Sequence, residues 1–548
     1  MADTAGVAMS RRTPARRGTD GGPARAVAPA PTRRAGRPAT PPRQARGRAA
    51  RSGQPAPRWR RATLSVRRVP LAAWLCALVA CVNAAGWSLI TPPFQAPDEQ
   101  AHFAYVEQLA RNGRLPTSST QEFAPDELVA LDDLEVSRVS LQPQNRTIAS
   151  EARQRKLERD LARAAASASP DRGAAGVAAA QPPLYYALAA IPYALGASGG
   201  VLDQLALMRL LSALMCGITA LFVFLFVREA LPAVPRAWAV AGLGAAFMPA
   251  LASISGAVNP DAMLCAVSAA IFSCFARGFR RGLTPRLAAA IGVLSAVGLL
   301  TKLNFLGLMP GVAVGLVLLA GRTSRALGPR AAARAAAPAL AIAVLPACVY
   351  VLANLLSHHR ALGIAGGVFA VTVGHRSIPG ELSYIWQLYL PRLPGMHVDF
   401  ADISPLRDLW FNGLVGDYGF EDTFFPRWVD NLALIPVLAI AALALREVFL
   451  HRPALIRRVG ELVTYLALTV GLLILIGASS YLSFPSEAAA FPEPRYLLPL
   501  IPLFGIALAL AARGAGRRWG PAVGALIVVL FFAHNLFSQL QVIARYYG

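Results

Sequence analysis

Lysine is almost missing from this chain of 548 residues: among its 53 basic residues only Lys156 and Lys302 carry an ammonium, and arginine supplies the rest. Cysteine is scarce too. All six (Cys76, Cys81, Cys216, Cys265, Cys274 and Cys348) fall inside apolar segments without a CxxC spacing, so neither a disulfide framework nor a thiolate metal site can be read. GxxxxGKS or GxxxxGKT, GxGxxG after a strand-like run, and HExxH are all absent, which removes a P-loop nucleotidase, a dinucleotide-binding domain and a zinc protease site. Acids are missing where bases are densest. Residues 1–69 hold 17 arginines against Asp3 and Asp20, and so carry +15 of the net charge of +23. This arm is rich in Pro, Gly and Ala, lacks aliphatic clusters and is expected to be disordered. A basic arm can attract nucleic acid or anionic lipid. Ahead of an apolar run, its simpler role is to hold the N-terminus in the cytoplasm, and no nucleic-acid partner is expected.

What the chain does have is apolar sequence. Hydrophobic residues make up 55% of it, in runs at 70–90, 183–198, 205–227, 237–255, 260–276, 287–303, 304–320, 335–356, 431–449, 462–482, 496–512 and 519–540. Most of these suit a hydrocarbon core of ~30 Å, so the expected fold is an all-α polytopic membrane protein of 11–13 transmembrane helices over residues 70–548. No small-residue cleavage site follows the first run, which is read as a retained span. Two long polar insertions, 91–182 and 357–430, interrupt the pattern. Arginine clusters at 277–286, 322–334, 446–458 and 513–518 belong inside by the positive-inside rule, which puts both insertions and the C-terminus outside an inner (plasma) membrane. Segment 183–198 conflicts with that parity if it crosses. Its 16 residues reach only ~24 Å and Pro192 interrupts them, so a re-entrant or half-buried helix is expected there.

The first insertion opens with "TPPFQAPDEQAHFAYVEQLARNG", Thr91 to Gly113. Pro97 with Asp98 and Glu99 is a helix start and Asn112-Gly113 a stop, giving a helix over about 97–111. The spacing of Glu99, His102, Phe103 and Val106 makes it amphipathic and suited to the outer membrane surface. Its two acids either cap that helix or, beside hydrocarbon, mark a functional site. Helical spacing also lets both acids reach His102, but no closed ligand set for a metal accompanies them.

Several further stretches share an order: "QPPLYYALAAIPYALG" from Gln181, Arg209 in "LMRLLSAL", "NPDAML" from Asn259, "LLTKLNFLGLMP" from Leu299, "FNGLVGDYGFEDTFFPRWV" from Phe411 and "PRYLLPLIPL" from Pro494. Together with "APDEQAHFAY", this order resembles the GT-C superfamily of membrane glycosyltransferases, and within it the bacterial membrane-protein family called domain of unknown function 2142. The resemblance covers roughly residues 70–512. It implies a GT-C-like fold and transfer of a sugar from a polyprenyl-phosphate donor to a cell-envelope glycan or protein acceptor on the outer face. An acid of the first outer loop would serve as base, with Asp98 the first choice and Glu99 the second.

Such a transfer also needs cationic or hydrogen-bonding groups for the departing phosphate. Lys302 and Arg495 sit at outer ends of spans, where each either meets a phosphate or anchors at the interface. Gln181 stands where many family members carry Lys or His, so a charge for phosphate is missing there. Tyr185 suits a cavity rim or an aromatic belt. His102, Arg209, Asp261 and Arg392 complete the substrate-binding candidates, and Asn259 and Asp261 also suit a helix cap. Aromatics of the second insertion, among them Trp386, Trp410, Tyr418 and Trp428, suit sugar or lipid headgroups equally, and His375 and His397 lie among them. Membrane lipids are expected neighbours, no metal ligand set is assigned, and a divalent cation stays open as cofactor. A transporter or flippase of an amphiphilic solute and a non-catalytic assembly protein are the rival readings, although no internal repeat of the transporter kind is visible.

Overall fold

A computed structural model describes residues 69–116, 121–147, 150–166, 174–364, 377–401, 403–483 and 493–548. The arginine-rich arm up to residue 68, and His375, lie outside the described residues. All twelve apolar runs are helical. In chain order the principal helices are α1 Leu71–Ile90, α2 Glu99–Asn112, α3 Pro125–Asp133, α4 Glu151–Ala166, α5 Leu184–Leu195, α6 Val201–Ala230, α7 Pro235–Ala246, α8 Pro249–Ser255, α9 Asp261–Arg281 and α10 Pro285–Leu299. They continue as α11 Met309–Leu327, α12 Pro329–His358, α13 Ile378–Tyr389, α14 Arg427–Leu450, α15 Val459–Ser483, α16 Ile501–Gly514 and α17 Gly516–Tyr547. Two two-stranded antiparallel ribbons, Gln121–Glu122 with Ala174–Ala175 and Asp417–Tyr418 with Thr423–Phe424, sit in the insertions.

Local chemistry explains the boundaries. Helix α1 carries no charge over its 20 residues and stops at Thr91-Pro92-Pro93, because proline has no N–H to continue the ladder. Pro249 breaks the run 237–255 into α7 and α8, which meet at 54°. Helix α2 ends at Gly113, whose φ of 62° is the left-handed conformation glycine adopts without strain.

Among the described residues nine helices are long and apolar enough to cross a membrane; the bent α7–α8 pair counts as a tenth, and the 15-residue α10 is a shorter apolar helix. These eleven traverse the bundle alternately. Arg280 and Arg281 at the end of α9 bond Glu229 at the end of α6, while Asp261 at the start of α9 bonds Lys302 beyond α10. One end of the bundle is thus arginine-rich and the other carries both insertions. Helix α17 finishes on the insertion end, where Arg545 donates to Asn145 O at 2.5 Å and pairs with Asp422 at 2.6 Å. The short α5 does not cross: it begins against Leu300 and ends with Tyr193 against Glu107 and Arg111 of α2. Its 12 residues measure about 18 Å, well under a bilayer core.

Helices α6 and α9 fill the centre, whereas α12, α14 and α17 bury little of their apolar surface against protein. Lipid supplies the other side of those helices, so tight packing depends on small residues rather than on water exclusion. At Gly311 of α11, a Cβ would lie 2.3 Å from Leu468 N of α15. Replacing Gly311 with Ala is therefore expected to force these helices apart and destabilise the chain by ~1–3 kcal/mol. Thermal unfolding of the detergent-solubilised protein checks this, and an unchanged midpoint contradicts it.

Candidate active site

Helix α2 was expected on the membrane surface, but it is an internal element. Glu99, Ala101, His102, Phe103, Ala104, Tyr105, Val106 and Glu107 are all buried, because α5 covers the face that amphipathic spacing left open. Tyr105 stacks on Tyr186 with centroids 3.7 Å apart, and Phe103 packs edge-on to Tyr193.

The two acids at its start have different surroundings. Glu99 is fully buried and accepts from Arg209 Nε at 2.8 Å and Arg209 Nη2 at 2.5 Å. Its carboxylate also accepts from Phe94 N at 3.0 Å and Val258 N at 2.9 Å. Arg209 spends its remaining donors on the carbonyls of Ser88, Thr91 and Pro92, the open end of α1. Glu99 is thus occupied as a junction. Asp98 instead has φ of 57°, a left-handed conformation rare for residues other than glycine, and its side chain makes no capping bond to its own helix. Its carboxylate is 39% exposed and accepts from Arg495 Nη2 at 3.1 Å. A strained acid that does not cap, turned toward a partner across the fold, is the kind of outlier found at functional sites.

Arg495 is buried and ringed by carboxylates. Besides Asp98 it faces Asp261 at 3.6 Å, Glu421 at 3.5 Å and Glu493. Asp261 in turn grips Lys302, whose Nζ lies 2.7 Å from both carboxylate oxygens. Both cations lean on the ring of Tyr496, at 5.9 Å for Arg495 and 5.3 Å for Lys302. Gln181 is beside them, its Oε1 accepting from Leu303 N at 3.5 Å. His102 Nδ1 is 2.9 Å from Tyr186 Oη, and burial, with the charges of Lys302 and Arg495, pushes its pKa down to about 3. The imidazole is therefore neutral at ordinary pH. Tyr185 is fully buried and bonds Ser212 at 2.8 Å, as a packing residue and not as a rim.

The structure thus brings Asp98, Arg495, Asp261, Lys302, Gln181 and His102 together at the insertion end. It does not bring Arg392 there: this side chain is exposed and donates to Met396 O at 3.4 Å, because α13 and the turn after it are packed elsewhere by Trp410 and Tyr389. Of the aromatics in the second insertion, Trp410 and Tyr418 are core, and Trp386 and Trp428 are exposed. Asp417, Glu421 and Glu493 were missed by the sequence reading. The available signal was position: Asp417 and Glu421 lie within the stretch that begins at Phe411, and Glu493 directly precedes the one that begins at Pro494. A cleft of about 50 Å³ between Pro97, Asp417, Glu421 and Arg495 has room for a few waters and not for a sugar ring. Among the described residues no group of three or more His, Cys, Asp or Glu is arranged to hold a metal ion, since the carboxylates nearest Asp98 converge on Arg495.

A family model described as a predicted membrane protein, DUF2142, matches residues 81–504. The chain belongs to this family. The match runs from α1 into α16 and so takes in every residue of the DUF2142 cluster just described. No curated protein matches. A crystal structure of the Archaeoglobus fulgidus oligosaccharyltransferase in its apo form is similar at 11% identity and a TM-score of 0.38; the alignment covers 86% of this chain and 56% of that one.

Two expectations follow for this site. Removing one partner of a buried, fully bonded ion pair leaves the other charge uncompensated, so Glu99→Gln and Arg209→Met should each cost ~3–5 kcal/mol, and the double variant less than their sum; unfolding midpoints of the four forms test this. The second concerns pH. Burial pushes Asp417 up to about 7 and Glu493 up to about 8, with Arg495 opposing both. The folded protein therefore holds more protons than the unfolded chain between about pH 4 and about pH 8, and stability should fall as pH rises across that window and level off above it. Asp417→Asn should flatten that slope in midpoints measured from pH 5 to 9.

Proposed function

We propose that the chain is a GT-C-type glycosyltransferase that moves a sugar from a polyprenyl-phosphate donor to a cell-envelope acceptor, with Asp98 as the base. The observation that carries this reading is the strained, half-exposed Asp98 beside two buried cations. In the reaction the acceptor hydroxyl gives its proton to the Asp98 carboxylate as its oxygen bonds the anomeric carbon. The bond from that carbon to the phosphate oxygen breaks, and the polyprenyl phosphate leaves with its new charge facing Lys302 and Arg495. Glu99 is a positioning residue, since every direction around its carboxylate is already taken. The sugar approaches Asp98 from its exposed side, because the ring of acids around Arg495 is too small to admit it.

An apolar groove of about 340 Å³ supports a lipid-linked donor. It is lined by Leu299, Met309, Val344, Cys348, Leu352 and Leu355 among others, and one end lies three residues before Lys302. An isoprenoid chain in this groove has its phosphate near the ammonium. Cys348 is exposed in the groove while Cys81 and Cys274 are half-buried and Cys76, Cys216 and Cys265 are buried, which makes it the most accessible thiol and a reporter when labelling is read residue by residue.

Asp98→Asn is expected to lower transfer by ~10²-fold or more while the membrane level and unfolding midpoint stay those of the parent. Comparing envelope glycans and lipid-linked sugars in a deletion strain, its complement and the Asp98→Asn form reads this directly. A scaffold would restore the envelope with Asp98→Asn, which would sink the proposal. In the purified protein, polyprenyl phosphate should slow alkylation of Cys348 by an apolar maleimide several-fold, and unaltered labelling counts against a donor in the groove.

A further inference from the structure

The arginine-rich end of the bundle holds a second cavity, about one helix length from Asp98: Asp261 and Arg281 are the two ends of the 21-residue α9, some 30 Å apart. Its volume is about 500 Å³, within the ordinary range of ligand sites. It lies between the ends of α6, α9 and α11 and the start of α15, and five arginines line it: Arg280, Arg322, Arg325, Arg457 and Arg458. An excess of arginine on a cytoplasmic face is the ordinary positive-inside bias, so the charge count alone carries nothing. The pairing does. Both acids in the wall are already committed: Glu229 to Arg280 at 2.9 Å and Arg281 at 2.6 Å, and Glu461 to Arg458 at 2.7 Å and Tyr465 Oη at 2.8 Å. Arg322 donates to Phe279 O at 3.0 Å and leans on that ring. Arg322, Arg325 and Arg457 have no carboxylate partner among the described residues.

Three guanidiniums without a counter-charge around one concavity repel each other unless an anion joins them. The other wall is apolar, formed by Phe279, Leu318 and Val459, with Val459 60% exposed at the lip. A basic pocket between helix ends, with an apolar flank at the membrane boundary, fits an amphiphile whose phosphate meets arginine forks and whose chains run along the apolar side. We propose that this cavity binds the phosphate head group of an anionic membrane lipid. The proposal is independent of the transferase reading, because it uses none of the residues around Asp98.

The test uses the full chain, purified in neutral detergent and titrated with phosphatidylglycerol, phosphatidylcholine or inorganic phosphate. Native mass spectrometry reads retained lipid and the unfolding midpoint reads stabilisation. Phosphatidylglycerol adducts and a raised midpoint are expected, with phosphatidylcholine giving neither. Each guanidinium removed should weaken binding about tenfold, as one charge-assisted hydrogen bond is worth. The triple variant Arg322→Gln, Arg325→Gln, Arg457→Gln should therefore lose retention. The exposed single change Arg325→Gln gives the same reading if the triple form does not fold. Arg517→Gln with Arg518→Gln, on the same end but outside the cavity, should retain lipid like the parent. Equal retention of both lipids, or unchanged retention by Arg325→Gln and the triple variant, overturns the proposal. Stabilisation by inorganic phosphate without a lipid adduct overturns it too, since the anion would then come from solution.

Discussion

The pair formed by Glu99 and Arg209 holds the insertion end together. An arginine inside an apolar helix is costly unless every donor finds an acceptor, and here the acceptors come from the end of α1, the start of α2 and, through Glu99, the turn before α9. The desolvation of two charges thus becomes a geometric constraint on three chain segments. Asp98 inherits that constraint. It is the residue before a carboxylate that cannot move, so its backbone takes the left-handed conformation and its side chain is turned away from α2.

The second organising feature is an imbalance of charge. Arg495 and Lys302 bring two positive charges to a space shared by Asp98, Asp261, Glu421 and Glu493, with Asp417 close by. Full ionisation would leave an excess of anions in a largely buried site, and burial accordingly raises Asp417, Glu421 and Glu493 from their ordinary carboxylate values. Protons on Asp417 and Glu493 are exchanged near neutrality, while Lys302 is held by Asp261. Arg495, which faces Asp98, and Lys302, which Asp261 holds, are therefore fixed in position, and the acids behind them adjust.

Much of the fold was legible because a bilayer demands long apolar runs and arginine marks one face. The broken α5 could be read from its length and Pro192, and the end of α2 from Asn112-Gly113, both local signals. The burial of α2 was not legible, because its polar side is covered by Tyr185, Tyr186 and Tyr193, about 80 residues further on. The role of Glu99 was hidden for the same reason: its partners are 5, 110 and 159 residues away. Asp98, Lys302 and Arg495 were found as chemically unusual residues at span ends, and their convergence is a property of the tertiary structure. Arg392 shared that composition without the location. Glu421 and Glu493 lie within or beside the ordered stretches, but an acid in a polar loop shows no role until an arginine is seen behind it.

The tie between Arg545 and the first insertion has a consequence for how the chain is made. Arg545 reaches Val139, Gln142, Asn145 and Asp422, and the bond to Asn145 closes a separation of 400 residues. At about 5–20 residues per second, translation takes roughly 20–80 s to supply that partner. The first loop therefore waits beside α1 with its seat unfinished. The insertion end is tied together from the last turn of α17, and a ribosome that stalls before it leaves both insertions unlatched.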